Sequence, residues 1–143
     1  MGDEDTTENY LVPVYDVSAS AGYGAINEYE PQTHSLAFPP DYLKRLTTSS
    51  PQNLAIISVK GDSMEPTLLD DDIVLLDTSK TNLSYDGLFV LQFDDALHVK
   101  RVGRAPKRGH IMIISDNETF PDIVSERSEV DAVGKVLWYG RKV

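Results

Sequence analysis

The stretch Leu54-Ala55-Ile56-Ile57-Ser58-Val59-Lys60-Gly61-Asp62-Ser63-Met64-Glu65-Pro66-Thr67-Leu68 decides how this chain is read. Its first part, Leu54 to Val59, is a short apolar run rich in branched side chains, as a strand requires. Gly61 stops the run, a polar turn follows, and Pro66 fixes the backbone just past a single serine. A serine on a tight turn at a strand end exposes its hydroxyl and aims its own N–H the same way. That geometry suits a nucleophile beside an oxyanion site. Taken alone, Ser63 reads equally well as the N-cap of a short helical turn, with Glu65 and Pro66 in its first turn.

A second stretch tips the balance. Leu97-His98-Val99-Lys100-Arg101-Val102 is another strand-like run, and it carries a lysine among apolar residues 37 positions after Ser63. Gly61-Asp62-Ser63-Met64-Glu65-Pro66-Thr67 followed at this distance by Val99-Lys100-Arg101-Val102 resembles the LexA-like (S24) peptidases, the group of LexA, UmuD and the phage CI-type repressors. The resemblance runs from about Val12 to the C-terminus. Ser115-Asp116-Asn117 and Trp138-Tyr139-Gly140-Arg141 look more like prophage repressors than like UmuD.

The resemblance implies self-cleavage, with Ser63 as nucleophile, Lys100 as general base and Ala21–Gly22 as the bond cut. The backbone N–H groups of Asp62 and Ser63 are then the oxyanion donors. The physical reason for a lysine is that a serine hydroxyl is a poor nucleophile and needs a base, and no histidine lies at a spacing that ties it to Ser63. A free lysine titrates near about 10.4 and is charged at neutral pH, whereas burial disfavours the charged form. Strand alternation puts Lys100 on a face with Ala96, His98 and Val102, a mixed face open to being covered. Docking the small-residue segment around Ala21 over it would dry it further, so that substrate docking and base activation become one event. Two departures from the family stand out. Asp70-Asp71-Asp72 replaces the usual Asp-Gly-Asp, and no helix-turn-helix DNA-binding domain precedes residue 10.

Composition sets limits on the rest. The 143 residues suit one domain able to bury a core, with 41% hydrophobic and 25% charged residues. A formal charge of −10 argues against this stretch gripping phosphate backbones by itself. Operator DNA is therefore expected to be bound only through an N-terminal domain outside this sequence. The other partners that the resemblance implies are a second copy of the chain and the RecA filament on single-stranded DNA. There is no cysteine, and His34, His98 and His110 are isolated, so no metal or cofactor is expected. No apolar run is long enough to span a bilayer, and the acidic N-terminus does not read as a secretion signal. The expected location is the cytoplasm. Two competing functions are a signal-peptidase-like protease acting on other chains, and an oligomerisation module whose Ser63–Lys100 pair no longer cuts.

In chain order, residues 1–27 are expected to be a flexible arm carrying the cleavage segment, and 28–143 the self-cleaving and dimerisation domain. Val17 to Ala25 is a run of small residues around Gly22 and Gly24, which reads as a cleft-lying extended segment or as a plain connector. It does not read as a nucleotide loop, because no strand–turn–helix context follows. Leu11 to Tyr15 is expected to be extended, with Pro13 pointing to an edge position. Glu28 to Phe38 looks irregular, and Pro39 to Leu46 reads as a short helix opened by its prolines. Strands are predicted over Leu54–Val59, Ile73–Asp77, Leu88–Phe93, Ala96–Val102, His110–Ser115 and Val130–Tyr139. Asp94-Asp95 falls at a tight hairpin turn. The fold class is mainly β, a LexA- or signal-peptidase-like partly closed sheet with one or two short helices. The long apolar run from Val130 to Trp138 is expected to offer an exposed edge for self-pairing.

Overall fold

The computed structural model describes residues 8–15, 31–84 and 86–143, so the Ala21–Gly22 bond lies outside the described residues. The fold is mainly β, as expected. The strands are β1 (Tyr10–Tyr15), β2 (Pro31–Phe38), β3 (Leu54–Ser58), β4 (Ile73–Asp77), β5 (Gly87–Phe93), β6 (Ala96–Arg104), β7 (His110–Ile114), β8 (Ile123–Glu126) and β9 (Asp131–Gly140). They form one sheet in the order β2-β1-β3-β4-β9-β5-β6-β7-β8. The single α-helix among the described residues, α1 (Pro40–Leu46), starts on its proline and buries Leu43. Among the described residues only the β1–β3 pairing is parallel, which makes the sheet mixed.

β3 explains why its sequence is continuously apolar. Ala55 and Ile57 belong to one buried cluster with Val74, Leu76, Val90 and Val99, while Leu54 and Ile56 belong to another with Val12, Val14, Leu43 and Leu75. A strand covered on both faces has no polar side to show. Each leucine, isoleucine or valine so buried contributes about 1.5–3 kcal/mol by leaving water.

Three expectations are corrected here. Residues 31–38 of the stretch expected to be irregular form a strand, because β1 supplies a full antiparallel partner from Tyr10↔Phe38 to Tyr15↔Pro31. β1 in turn is not an edge. It lies between β2 and β3, and Pro13 sits at the register shift between Pro13 and Tyr15, before the β3 pairing begins at Val14, where a missing N–H is tolerated. Nor does β9 expose an edge, since β4 and β5 occupy both its sides. The outer strands of the sheet are β2 and β8, and the latter, four residues long, is too short to stand out in sequence.

The turns follow local chemistry. Asp94 and Asp95 join β5 to β6 with φ of 53° and 58°, the left-handed pair that a two-residue hairpin requires. Asp71, the middle residue of Asp70-Asp71-Asp72, also has a left-handed φ of 73°. Its carboxylate lies 3.5 Å from Lys60 Nζ and 3.2 Å from Lys142 Nζ, both exposed pairs. Those two lysines hold the Asp71 carboxyl below its ordinary pKa. Asp71→Gly should therefore raise Tm by a few degrees in about 1 M salt, where the ion pairs are screened and the relieved backbone dominates. The gain should shrink at low salt. A lower Tm than the parent's at high salt would show that the turn carries no strain.

Candidate active site

The segment from Lys60 to Asp70 leaves the sheet after β3 and returns before β4. Its base is clasped by two backbone bonds, Val59 N–H to Asp72 O (2.7 Å) and Asp71 N–H to Val59 O (2.8 Å). Gly61, with φ of 86°, starts the excursion, and its N–H donates to Asp70 Oδ1 at 2.7 Å. Asp72 is 2% exposed; it accepts from Leu69 N–H and pairs with Arg141 at 2.8 Å, which holds its pKa down. Met64 and Leu68, 1% and 0% exposed, plug the loop into the cluster formed by β3, β4, β5 and β6. Core packing thus sets the height of the turn that carries Ser63.

Ser63 does not cap a helix. The turn around it is closed by Glu65 N–H to Asp62 O and Leu68 N–H to Met64 O, and no regular helix forms. Its hydroxyl faces Lys100 instead, with Nζ to Oγ at 2.7 Å. Lys100, opposite Phe89 in the β5–β6 pairing, is only 8% exposed. Burial is what pushes its pKa below the ordinary lysine value. His98, two residues earlier on β6, stacks on Phe93 with ring centroids 4.2 Å apart. Its own pKa is lowered, first by burial and then by the Lys100 charge. Among the described residues, buried His98 Nε2 has no hydrogen-bond partner.

Sequence reasoning assigned no role to Ser115, Asp116 and Asn117, yet these three residues tie the site together. Ser115 Oγ lies 3.0 Å from Lys100 Nζ. Asp116 takes two bonds from Arg101, at 2.9 and 2.8 Å, and one from the Thr67 hydroxyl at 2.6 Å, while its N–H rests against Met64 Sδ. The Asp116 carboxyl is held below its ordinary pKa, chiefly by Arg101. Asn117 donates its N–H to Ser63 O and its side-chain amide to Asp62 O, both at 3.0 Å. Both carbonyls of the serine turn are thereby occupied. Among the described residues, the Asp62 and Ser63 N–H groups have no acceptor. The only sequence signal of this arrangement was the tripeptide itself, since the chemistry depends on where β7 ends beside β6.

Chemically, the arrangement offers a hydroxyl, an amine shifted toward neutrality, and two free backbone donors on one turn. Among the described residues no group of three His, Asp or Glu side chains is placed to hold a metal ion.

A mixed β-sheet presenting a serine turn to a buried strand lysine defines the class. The chain belongs to the Peptidase S24-like family, whose family model matches residues 13–137. It is 32% identical over 127 residues to the 26 kDa repressor protein of Escherichia phage HK022, covering 87% of this chain and 53% of that protein. It is 27% identical over 125 residues to the repressor protein CI of Enterobacteria phage phi80, covering 87% and 52%. It is also 28% identical over 144 residues to the HTH-type transcriptional regulator PrtR of Pseudomonas aeruginosa, covering 96% and 54%. The chain spans about half the length of these curated relatives.

Proposed function

We propose that this chain is the self-cleaving, self-associating part of a transcriptional repressor, and that it cuts its own Ala21–Gly22 bond with a Ser63–Lys100 dyad. The observation that carries this reading is the 2.7 Å approach of Lys100 Nζ to Ser63 Oγ at a lysine 8% exposed. In the neutral state the Lys100 lone pair takes the Ser63 hydroxyl proton as Oγ attacks the Ala21 carbonyl carbon. The Asp62 and Ser63 N–H groups receive the resulting oxyanion. As the C–N bond breaks, the Lys100 ammonium returns its proton to the Gly22 nitrogen. Water, deprotonated by the same amine, then releases Ala21 from Ser63.

The topology supports delivery of that bond. β1 runs parallel to β3, with Tyr15 beside Ile57, and Pro31 of β2 pairs with Tyr15. Tyr15 and Pro31 therefore stand at the strand end from which the chain also leads to Ser63. Ala21 is six residues beyond Tyr15, a reach of up to about 20 Å. The similarity to phage repressors and PrtR supports the regulatory context. In it, a DNA-binding domain outside this sequence binds the operator, this chain pairs with a second copy, and the RecA filament on single-stranded DNA stimulates the cut in the cytoplasm. Residues 1–27 serve as the arm bearing the bond and 28–143 as the catalytic and pairing domain. Among the described residues no helix is long and apolar enough to cross a membrane.

Mass spectrometry of the chain during mildly alkaline incubation tests the reading. Fragments ending at Ala21 and starting at Gly22 are expected, and Ser63→Ala should yield none while keeping the parent's circular dichroism. Persistence of the cut in Ser63→Ala would assign the nucleophile elsewhere.

A further inference from the structure

We propose that Ser115 is a positioning residue for the proposed cleavage, its hydroxyl fixing the rotation of the Lys100 amine so that the lone pair meets Ser63. This inference rests on the Ser63–Lys100 reading and adds a third member to it. The geometry comes from register. Arg101 pairs with Ile114 in the β6–β7 ladder, so the next residues outward, Lys100 and Ser115, stand beside one another where β7 ends. Lys100 Nζ lies 3.0 Å from Ser115 Oγ and 2.7 Å from Ser63 Oγ, which gives the amine two hydroxyl neighbours.

A neutral amine has two N–H donors and one lone pair. If one N–H is spent on Ser115 Oγ, rotation about the Cε–Nζ bond is fixed and the lone pair has one remaining hydroxyl to address. Without that anchor the amine turns freely, and only a fraction of its orientations accept the Ser63 proton. The other charged and titratable groups around the amine are ill-placed for this task. Asp116 is committed to Arg101 and Thr67, and His98 is stacked on Phe93. Ser115 is itself held in place by the chain that follows, because Asn117 is bound to Asp62 and Ser63.

Ser115→Thr and Ser115→Val have nearly the same shape and differ in the hydroxyl, so they separate positioning from packing. Cleavage of Ala21–Gly22 is followed from about pH 6 to about pH 10.5 in both, in Ser115→Ala and in the parent. The valine and alanine variants should lose about tenfold to a hundredfold in plateau rate, and threonine should stay within about threefold of the parent. A hydroxyl oxygen accepting from the ammonium favours the charged amine, so its loss should move the Lys100 titration to lower pH while the plateau falls. That titration is read by NMR of the Lys100 ε-carbon in a Ser63→Ala background, where no cleavage interferes. Equal rates for threonine and valine, or a plateau unchanged in alanine, overturn the positioning role. A parent chain that never cleaves overturns the peptidase reading instead, and the NMR shift then reports separately whether Ser115 touches the amine.

Discussion

Lys100→Arg should lower the rate of Ala21–Gly22 cleavage by about two to four orders of magnitude at every accessible pH, the range that loss of a general base produces. Arginine keeps the positive charge and much of the length, but it has no neutral form at usable pH. On the proposed mechanism, only the neutral amine works in the parent. The rate should therefore climb about tenfold per pH unit below the Lys100 pKa and level off above it. Burial lowers that pKa, so the plateau should begin below the pH at which a free lysine loses its proton. The direction is fixed by the sign of the shift, since a depressed pKa means that raising pH populates the active form sooner. A time course without any added protein, from about pH 6 to about pH 10.5, reads both effects. A flat profile, or an active Lys100→Arg chain, would remove lysine from the mechanism and leave the non-cleaving oligomerisation module as the better account.

The second large effect concerns stability. Met64→Ala is expected to cost about 2–5 kcal/mol, the range for emptying a long side chain from a closed core. Met64 is 1% exposed, shares its cluster with Leu68, Val74, Leu76, Val90 and Val99, and its sulfur meets the Asp116 N–H at 3.4 Å. Removing it leaves a cavity directly beneath the serine turn, so cleavage should slow as well. Urea unfolding should give a lower midpoint at an unchanged slope. A loss under about 1 kcal/mol would mean that the turn is held by its clasp at Val59 and by Asn117 rather than by its plug.

The sequence reading located most strands and both dyad candidates because those signals are local. Leu54 to Ser58 is apolar throughout because both its faces are covered, and Asp94-Asp95 sits where a short polar pair between apolar runs makes a hairpin. Its failures were all questions of who pairs with whom. Pro31–Phe38 has no periodic pattern and becomes a strand only because β1 offers it a ladder. Pro13 looked like an edge residue, but the register shift beside it lets β1 run between two neighbours.

By itself, then, the sequence determined that this is a mainly β chain with a serine turn after one strand and a lysine within another. Those features depend on neighbouring residues, through hydrophobic patterning, glycine and proline. Only the tertiary structure decided that β9 is an interior strand with no free edge, and that Ser115, Asp116 and Asn117 converge on Lys100, Arg101, Asp62 and Ser63. Those contacts join residues 15 to 55 positions apart, and a strand's partner and register are set by what fills the other face of the sheet.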